Sequence, residues 1–204
     1  MSIAGHSVRR GLGRISASTS ALFLCDMQEK FRPMISYFDE VVHNSNRVLH
    51  AAKTMSMPAL VTEQYPKGLG RTVPELEIAK YGLKPFEKTC FSMVIPNLMS
   101  QLSQEQNVTK SVILCGIETH ACILHTTLDL LERDVEVHVL VDCCSSRSMT
   151  DRKYAFERLR DMGAFLTTSE CVILGLTADS AHPKFKALQK LVYNPAPDTG
   201  LLKM

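Results

Sequence analysis

The stretch Ser111-Val-Ile-Leu-Cys-Gly-Ile-Glu-Thr-His-Ala-Cys122 ends on a thiol placed where a nucleophile could act. Val112 to Leu114 form a short apolar, partly β-branched run, the composition of an interior strand in a parallel sheet, and Gly116 loosens the backbone where that strand ends. Thr119 reads as an N-cap, which sets Cys122 at about the third position of the following helix. Amide N–H groups without intrahelical partners point outward there, and their partial positive charge favours thiolate, the reactive form, over thiol. An arbitrary cysteine is more often core filler. Position changes that reading, because ligands of open α/β sheets bind beyond the carboxyl ends of the strands, and Cys122 falls just past such an end. Asp26, directly after Ala21-Leu-Phe-Leu-Cys25, and Lys88, after Leu83 to Glu87, hold comparable positions. Taken singly, Asp26 reads as a helix cap and Lys88 as a surface ion pair.

The elements that must position these groups alternate along the chain. Val41, Val42, Ser45, Val48, Leu49 and Ala52 recur on one helical face, and Pro58 closes that helix before Ala59-Leu-Val61. From Gln64 to Gly82 the chain carries Pro66, Gly68, Gly70 and Pro74, a long broken connection that reads as a wall or lid of a site. Ile123, Leu124, Thr127, Leu128 and Leu131 mark the buried face of the helix near Cys122, and Val135, Val137, Val139 and Val141 alternate as the next strand. Tyr154, Phe156, Leu159 and Met162 predict another helix, Ala164-Phe-Leu-Thr167 a last strand, and His182-Pro183 the opening of a final helix. The predicted fold is α/β: a three-layer α/β/α sandwich around a six-stranded, mostly parallel sheet.

A length of 204 residues with 45% hydrophobic content suits one domain, expected over residues 19–194, between a flexible tail at 1–18 and an extended tail at 195–204. A net charge of +2 gives no electrostatic case for nucleic acid, and no apolar run approaches a membrane span. The seven cysteines are odd in number and sit largely in strand-like runs, so a reducing compartment, the cytoplasm, is expected. Arg9, Arg10 and Arg14, with serines and no acid before Asp26, have the composition of a weak mitochondrial presequence, the alternative being a disordered tail. Gly11-Leu-Gly13 precedes the first strand instead of following it, so the dinucleotide fingerprint fails and no cofactor is predicted. There is no Gly-x-Ser-x-Gly elbow and no phosphate loop.

Leu22-Phe-Leu-Cys-Asp-Met-Gln-Glu-Lys-Phe31, Glu87-Lys-Thr-Cys-Phe-Ser92 and Gly116-Ile-Glu-Thr-His-Ala-Cys122 together resemble the isochorismatase-like cysteine hydrolases, which include nicotinamidases and N-carbamoylsarcosine amidases. The resemblance spans roughly Ala21 to Val192, with Thr62 to Gly70 and Asp142 to Arg147 resembling an animal subgroup. It implies that Cys122 attacks a carbonyl carbon, that Asp26 takes the thiol proton and passes it to the leaving nitrogen, and that Lys88 supports both electrostatically. It also implies a cis peptide at Ile117–Glu118, an oxyanion hole from the N–H groups of Glu118 and Cys122, and a homo-oligomer. By position, Phe31, Gln64, Tyr65, Phe91 and Glu118 are expected to meet a small-molecule substrate; core packing is the alternative for the two phenylalanines. The Asp-x-His metal motif of nicotinamidases is replaced by Thr62-Glu-Gln-Tyr65, so no metal is expected and nicotinamide is a poor candidate. Isochorismatases proper typically lack the cysteine, which argues against vinyl ether cleavage here.

His125, one turn beyond Cys122, is a rival base in a Cys/His dyad, although its position also suits a buried core histidine. His120, Cys122 and His125 do not share one helical face, which weakens a metal reading. Cys25, Cys90, Cys115, Cys143 and Cys144 read as packing thiols, Cys90 being close enough to Lys88 to border the pocket. A binding or regulatory protein that kept the scaffold without turnover is the competing class.

Overall fold

A computed structural model describes residues 11–104 and 108–203. Six strands, β1 (Ser20–Cys25), β2 (Ala59–Gln64), β3 (Phe86–Lys88), β4 (Ser111–Ile117), β5 (Glu136–Ser145) and β6 (Phe165–Thr167), form one sheet in the order β3-β2-β1-β4-β5-β6. Every pairing is parallel, where the sequence led only to a mostly parallel sheet. The helices are α1 (Phe38–Thr54), α2 (Pro66–Leu69), α3 (Pro96–Gln104), α4 (Leu124–Leu131), α5 (Met149–Met162), α6 (Ser169–Gly175) and α7 (Phe185–Leu191). They flank the sheet, α1 packing with α6 and α7, and α4 with α5.

Because helices cover both faces, the central strands have no solvent side, and every residue of β1 and β4 is buried. Uniform burial explains why both read as continuous apolar runs and not as alternating patterns. The chain passes outward from β1 through β2 to β3 and later from β4 through β5 to β6, so strand order reverses between β1 and β4. A crevice at the carboxyl ends of such a pair is where ligands of this architecture bind. Asp26 follows β1 and the Cys122 turn follows β4, on either side of that reversal.

One glycine holds the two strands together there. Gly116 pairs in register with Cys25 and has φ +127°, and a Cβ at that position would lie 2.1 Å from the Cys25 carbonyl oxygen. Only a residue without a side chain permits this approach.

Two features depart from expectation. The Ser169–Gly175 helix was not foreseen; Thr168 caps it by accepting from the Cys171 N–H at 3.4 Å, and Asp142 accepts from the Ser169 N–H (2.8 Å) and hydroxyl (2.6 Å). The C-terminal segment, expected to be extended, turns at Gly200 (φ +75°) into a 3-10 turn over Leu201–Lys203. Buried Arg152 fastens it by donating to the carbonyl oxygens of Thr199 (2.6 Å) and Val141 (3.0 Å). At the other end, Gly13 lies against the Phe165 ring and Ile15 and Ala17 pack on the core; Arg9 and Arg10 lie outside the described residues.

His138 on β5 is buried, stacks on Phe165 with ring centroids 5.0 Å apart, and has an Nε2 without a hydrogen-bond partner. Burial lowers its pKa to about 4. The unfolded chain therefore binds a proton between pH 6.5 and 4 that the folded chain refuses, so folding stability falls as pH drops through this window. The expected loss between pH 7 and pH 4.5 is about 2 kcal/mol. Urea unfolding at pH 7 and pH 4.5 measures it, and His138→Leu is expected to flatten the dependence.

Candidate active site

Asp26 adopts φ +51°, a left-handed conformation unusual for a non-glycine residue, directly where β1 ends. That turn breaks strand alternation, so Cys25 and Asp26 project into the same region instead of onto opposite faces. The carboxylate is fully buried and meets three donors. Oδ1 accepts from the Thr62 hydroxyl at 2.7 Å, and Oδ2 accepts from Lys88 Nζ at 2.6 Å and from the Cys25 thiol at 3.4 Å.

Lys88, the last residue of β3, has a fully buried side chain and is caged. Its ammonium donates to Asp26, to Gln64 Oε1 (2.8 Å), and to the carbonyl oxygens of Cys90 (3.2 Å) and Phe91 (3.0 Å), and it lies 3.7 Å from Cys122 Sγ. Burial pulls this ammonium's pKa down, but Cys25, Asp26 and Cys122 facing it outweigh burial, and the pKa ends above the ordinary lysine value. The ion pair is therefore neither solvated nor free to reorient, unlike the surface pair that a lone lysine would form.

Cys122 stands on a π-type turn, Thr119–Ile123, that leads into α4. The Ile117–Glu118 peptide before the turn is cis. Thr119 lies inside the turn and its hydroxyl has no partner; Glu118, in extended backbone, is the residue that precedes the helical segment, so the expected Thr119 cap is corrected by one position. The N–H groups of Ala121 and Ile123 both donate to the Glu118 carbonyl oxygen (3.1 and 3.2 Å). Thr126 then joins this turn to the segment that follows β3: its hydroxyl donates to the Cys122 carbonyl oxygen (2.6 Å) and accepts from the Met93 N–H (2.9 Å). Cys122 is 7% exposed, whereas Cys25 is 0% exposed.

Cys25, read from sequence as a packing thiol, belongs to the site. Its Sγ, an Asp26 oxygen and Cys122 Sγ all lie within 4.8 Å of one another. Burial pushes the Cys25 thiol pKa well above the ordinary range, aided by hydrogen bonding with Cys122 and by the Asp26 charge and opposed by Lys88. Among the described residues this is the grouping whose donors could share a metal ion. The ammonium of Lys88, 2.6 Å from Asp26 and 3.7 Å from Cys122, already supplies its positive charge. A metal ion there would have to displace or oppose a buried cation.

A cavity of about 500 Å³ lies next to Lys88, the member of the cluster on its lining, together with Tyr65, Lys67, Glu87, Cys90 and Asn97; Asp26 and Cys122 are not on that lining. Tyr65, with φ +34° and 56% exposed, is the one expected substrate contact on its wall. Gln64 is engaged elsewhere: Oε1 accepts from Lys88 and Nε2 donates to the Thr89 carbonyl oxygen (2.8 Å). Phe91 is exposed and tilts over His125, ring centroids 5.6 Å apart. His125 is exposed, not directed into the body of the fold as its helical position led us to expect, because the buried side of α4 is taken by Leu124, Thr126, Thr127 and Leu130. Phe31 is half-buried and packs on the core. The Glu118 carboxylate accepts from the Arg147 backbone N–H (3.1 Å) and Nε (3.2 Å), and His120 Nδ1 meets the Ser146 hydroxyl at 2.9 Å.

Residues 20–171 match the isochorismatase domain. The chain is similar to isochorismatase domain-containing protein 2 of Homo sapiens, 55% identical over 196 residues that cover 96% of this chain and 94% of the relative. Among solved structures it resembles one described as a MAR1 ribonuclease from Caenorhabditis elegans: TM-score 0.86, 54% identity, covering 92% of this chain and 96% of that one. It also shares its fold with the YcaC gene product of Escherichia coli, described as an octameric hydrolase of unknown specificity: TM-score 0.79, 22% identity, covering 95% and 96%.

Proposed function

Since this chain belongs to the isochorismatase domain family, we propose that it is a cysteine hydrolase cleaving a C–N bond of a small carboxamide or ureido compound through an acyl-enzyme on Cys122. The observation that carries the proposal is the convergence of three strand ends: Lys88 Nζ lies 2.6 Å from Asp26 and 3.7 Å from Cys122 Sγ.

Each residue has a role set by its position. Cys122 Sγ bonds to the carbonyl carbon while its proton passes to Asp26, and Asp26 returns that proton to the departing nitrogen. Water then attacks the thioester, Asp26 accepting its proton, and the thiol is released with the acid. Lys88 stabilises negative charge on sulfur during attack; at its separation an ammonium contributes about 4 kcal/mol for an effective dielectric near 20. The N–H groups of Glu118 and Cys122 are assigned to the carbonyl oxygen as it becomes an oxyanion. Tyr65 is assigned to the substrate from the cavity wall, Gln64 Oε1 and the Phe91 carbonyl oxygen fix the ammonium, and Phe31 and Glu118 are kept as substrate contacts by their position in the sequence. His125, exposed and against Phe91, is set aside as the base because Asp26 is the buried acceptor of the cluster.

The described chain has no helix long and apolar enough to cross a membrane. We assign it a small-molecule substrate, no nucleic-acid partner, a homo-oligomeric state that sedimentation tests, and the cytoplasm, with the basic segment holding Arg9, Arg10 and Arg14 as a mitochondrial alternative that imaging of a tagged full chain tests. The test of function is a panel of small amides and ureido compounds scored for ammonia release, with a structured RNA included because a similar protein is described as a ribonuclease. Turnover of an amide, lost in Cys122→Ala, supports the proposal; amide turnover that persists in that variant, or cleavage of RNA alone, refutes it.

A further inference from the structure

The site holds a second sulfur that the proposed hydrolysis does not use. Cys25 is 0% exposed and its Sγ lies within 4.8 Å of Cys122 Sγ, whereas Cys122 is 7% exposed. Of the two, Cys122 is the residue with exposure for a reagent to reach. Both thiols are free. We propose that Cys25 is a resolving thiol: oxidation of Cys122 by a hydroperoxide is captured as a reversible Cys25–Cys122 disulfide.

The steps balance with one hydroperoxide as oxidant. The Cys122 thiolate attacks the distal peroxide oxygen, the O–O bond breaks, and one alcohol or water molecule leaves with a proton, giving Cys122 sulfenic acid. Cys25 sulfur then attacks Cys122 sulfur. Its proton passes to Asp26, whose Oδ2 accepts from that thiol at 3.4 Å, and the hydroxyl leaving Cys122 takes a proton to depart as water. Lys88, 3.7 Å from Cys122 Sγ, is placed to donate a hydrogen bond to that departing oxygen. A dithiol returns both sulfurs to thiols with two electrons and two protons. The consequence is protective: the disulfide forms before a second peroxide can carry Cys122 to the sulfinic acid, which dithiols do not reverse.

The inference uses the site's geometry and not its substrate, so it is tested by mass alone, independently of amide turnover. The full chain is treated with hydrogen peroxide near equivalence, quenched with an alkylating agent, and digested without reductant. A peptide pair joined through Cys25 and Cys122, lighter by two hydrogen atoms and separated again by dithiothreitol, is expected. Accumulation of Cys122 carrying two oxygen atoms in the unaltered chain, with no joined pair, would overturn the proposal. Cys25→Ser and Cys25→Ala, either of which suffices if it folds, should reverse the outcome, Cys122 passing to the sulfinic acid and failing to regain an alkylatable thiol with dithiothreitol. Recovery in these variants equal to that of the unaltered chain would also overturn it.

Discussion

Replacing Lys88 by methionine will cost the folded chain about 3–5 kcal/mol and remove its activity, because the change leaves a buried carboxylate with no counter-charge. Asp26 is fully buried, and its Oδ2 would keep only the weak thiol donor of Cys25. Gln64 Oε1 and the carbonyl oxygens of Cys90 and Phe91 would lose their common donor in the same step. Urea unfolding measures the loss. Adding Asp26→Asn removes the stranded charge, so the double variant is expected to be more stable than Lys88→Met alone, a coupling that independent sites would not show. Lys88→Arg is not conservative here, since a larger planar guanidinium cannot aim its N–H groups at oxygens disposed around the single Nζ position. Equal stability of Lys88→Met and the unaltered chain would mean that the ion pair is absent in solution.

Gly116→Ala is expected to be nearly as damaging, for a reason of shape. The new methyl group would stand 2.1 Å from the Cys25 carbonyl oxygen, a backbone atom of the neighbouring central strand, in a residue whose φ of +127° is strained for any side chain. Overpacking and backbone strain together predict a loss of about 3 kcal/mol or more. The relief available, parting β1 from β4 at their carboxyl ends, moves Asp26 away from Cys122. Gly82→Ala is the control: φ is +66° there but nothing lies within 4 Å, so only the left-handed penalty of about 1–2 kcal/mol applies. Thermal melts of the two variants should rank in that order, and a Gly116→Ala chain that melts like the unaltered one would show that the two strands do not approach so closely.

The parts of this molecule that the sequence expresses are those governed by periodicity. Buried strands such as Val112 to Leu114 and one-faced helices such as Val41 to Ala52 carry their environment in their spacing, and strand ends follow from them. Asp26, Lys88 and Cys122 were therefore legible as three strand-end residues, and the resemblance supplied the expectation that they meet. Cys25 was not legible. Strand alternation places it opposite Asp26, and only the left-handed turn at Asp26 brings both side chains together. Thr126 was hidden for a related reason, its hydrogen bond to the distant Met93 N–H being encoded by no local pattern, and Gln64, expected at the substrate, instead accepts from Lys88 and donates to the Thr89 carbonyl oxygen. The exposure of His125 depends on which face of α4 meets the sheet, and a short helix with apolar or small residues around it leaves that undecided. The C-terminal turn rests on Arg152, a buried charge that sequence reading assigns to the surface.

The central claim is that Cys122 is an activated nucleophile, and competitive alkylation tests it most directly. Trace iodoacetamide at neutral pH, followed by peptide mapping, ranks the seven cysteines by rate. Exposure alone would put Cys90 and Cys171 first. Cys122, at 7% exposure but beside the Lys88 ammonium, is expected to react ahead of both and to fall behind them in Lys88→Met. A ranking in which Cys90 and Cys171 lead and Cys122 is as slow as Cys115 and Cys143 would contradict it.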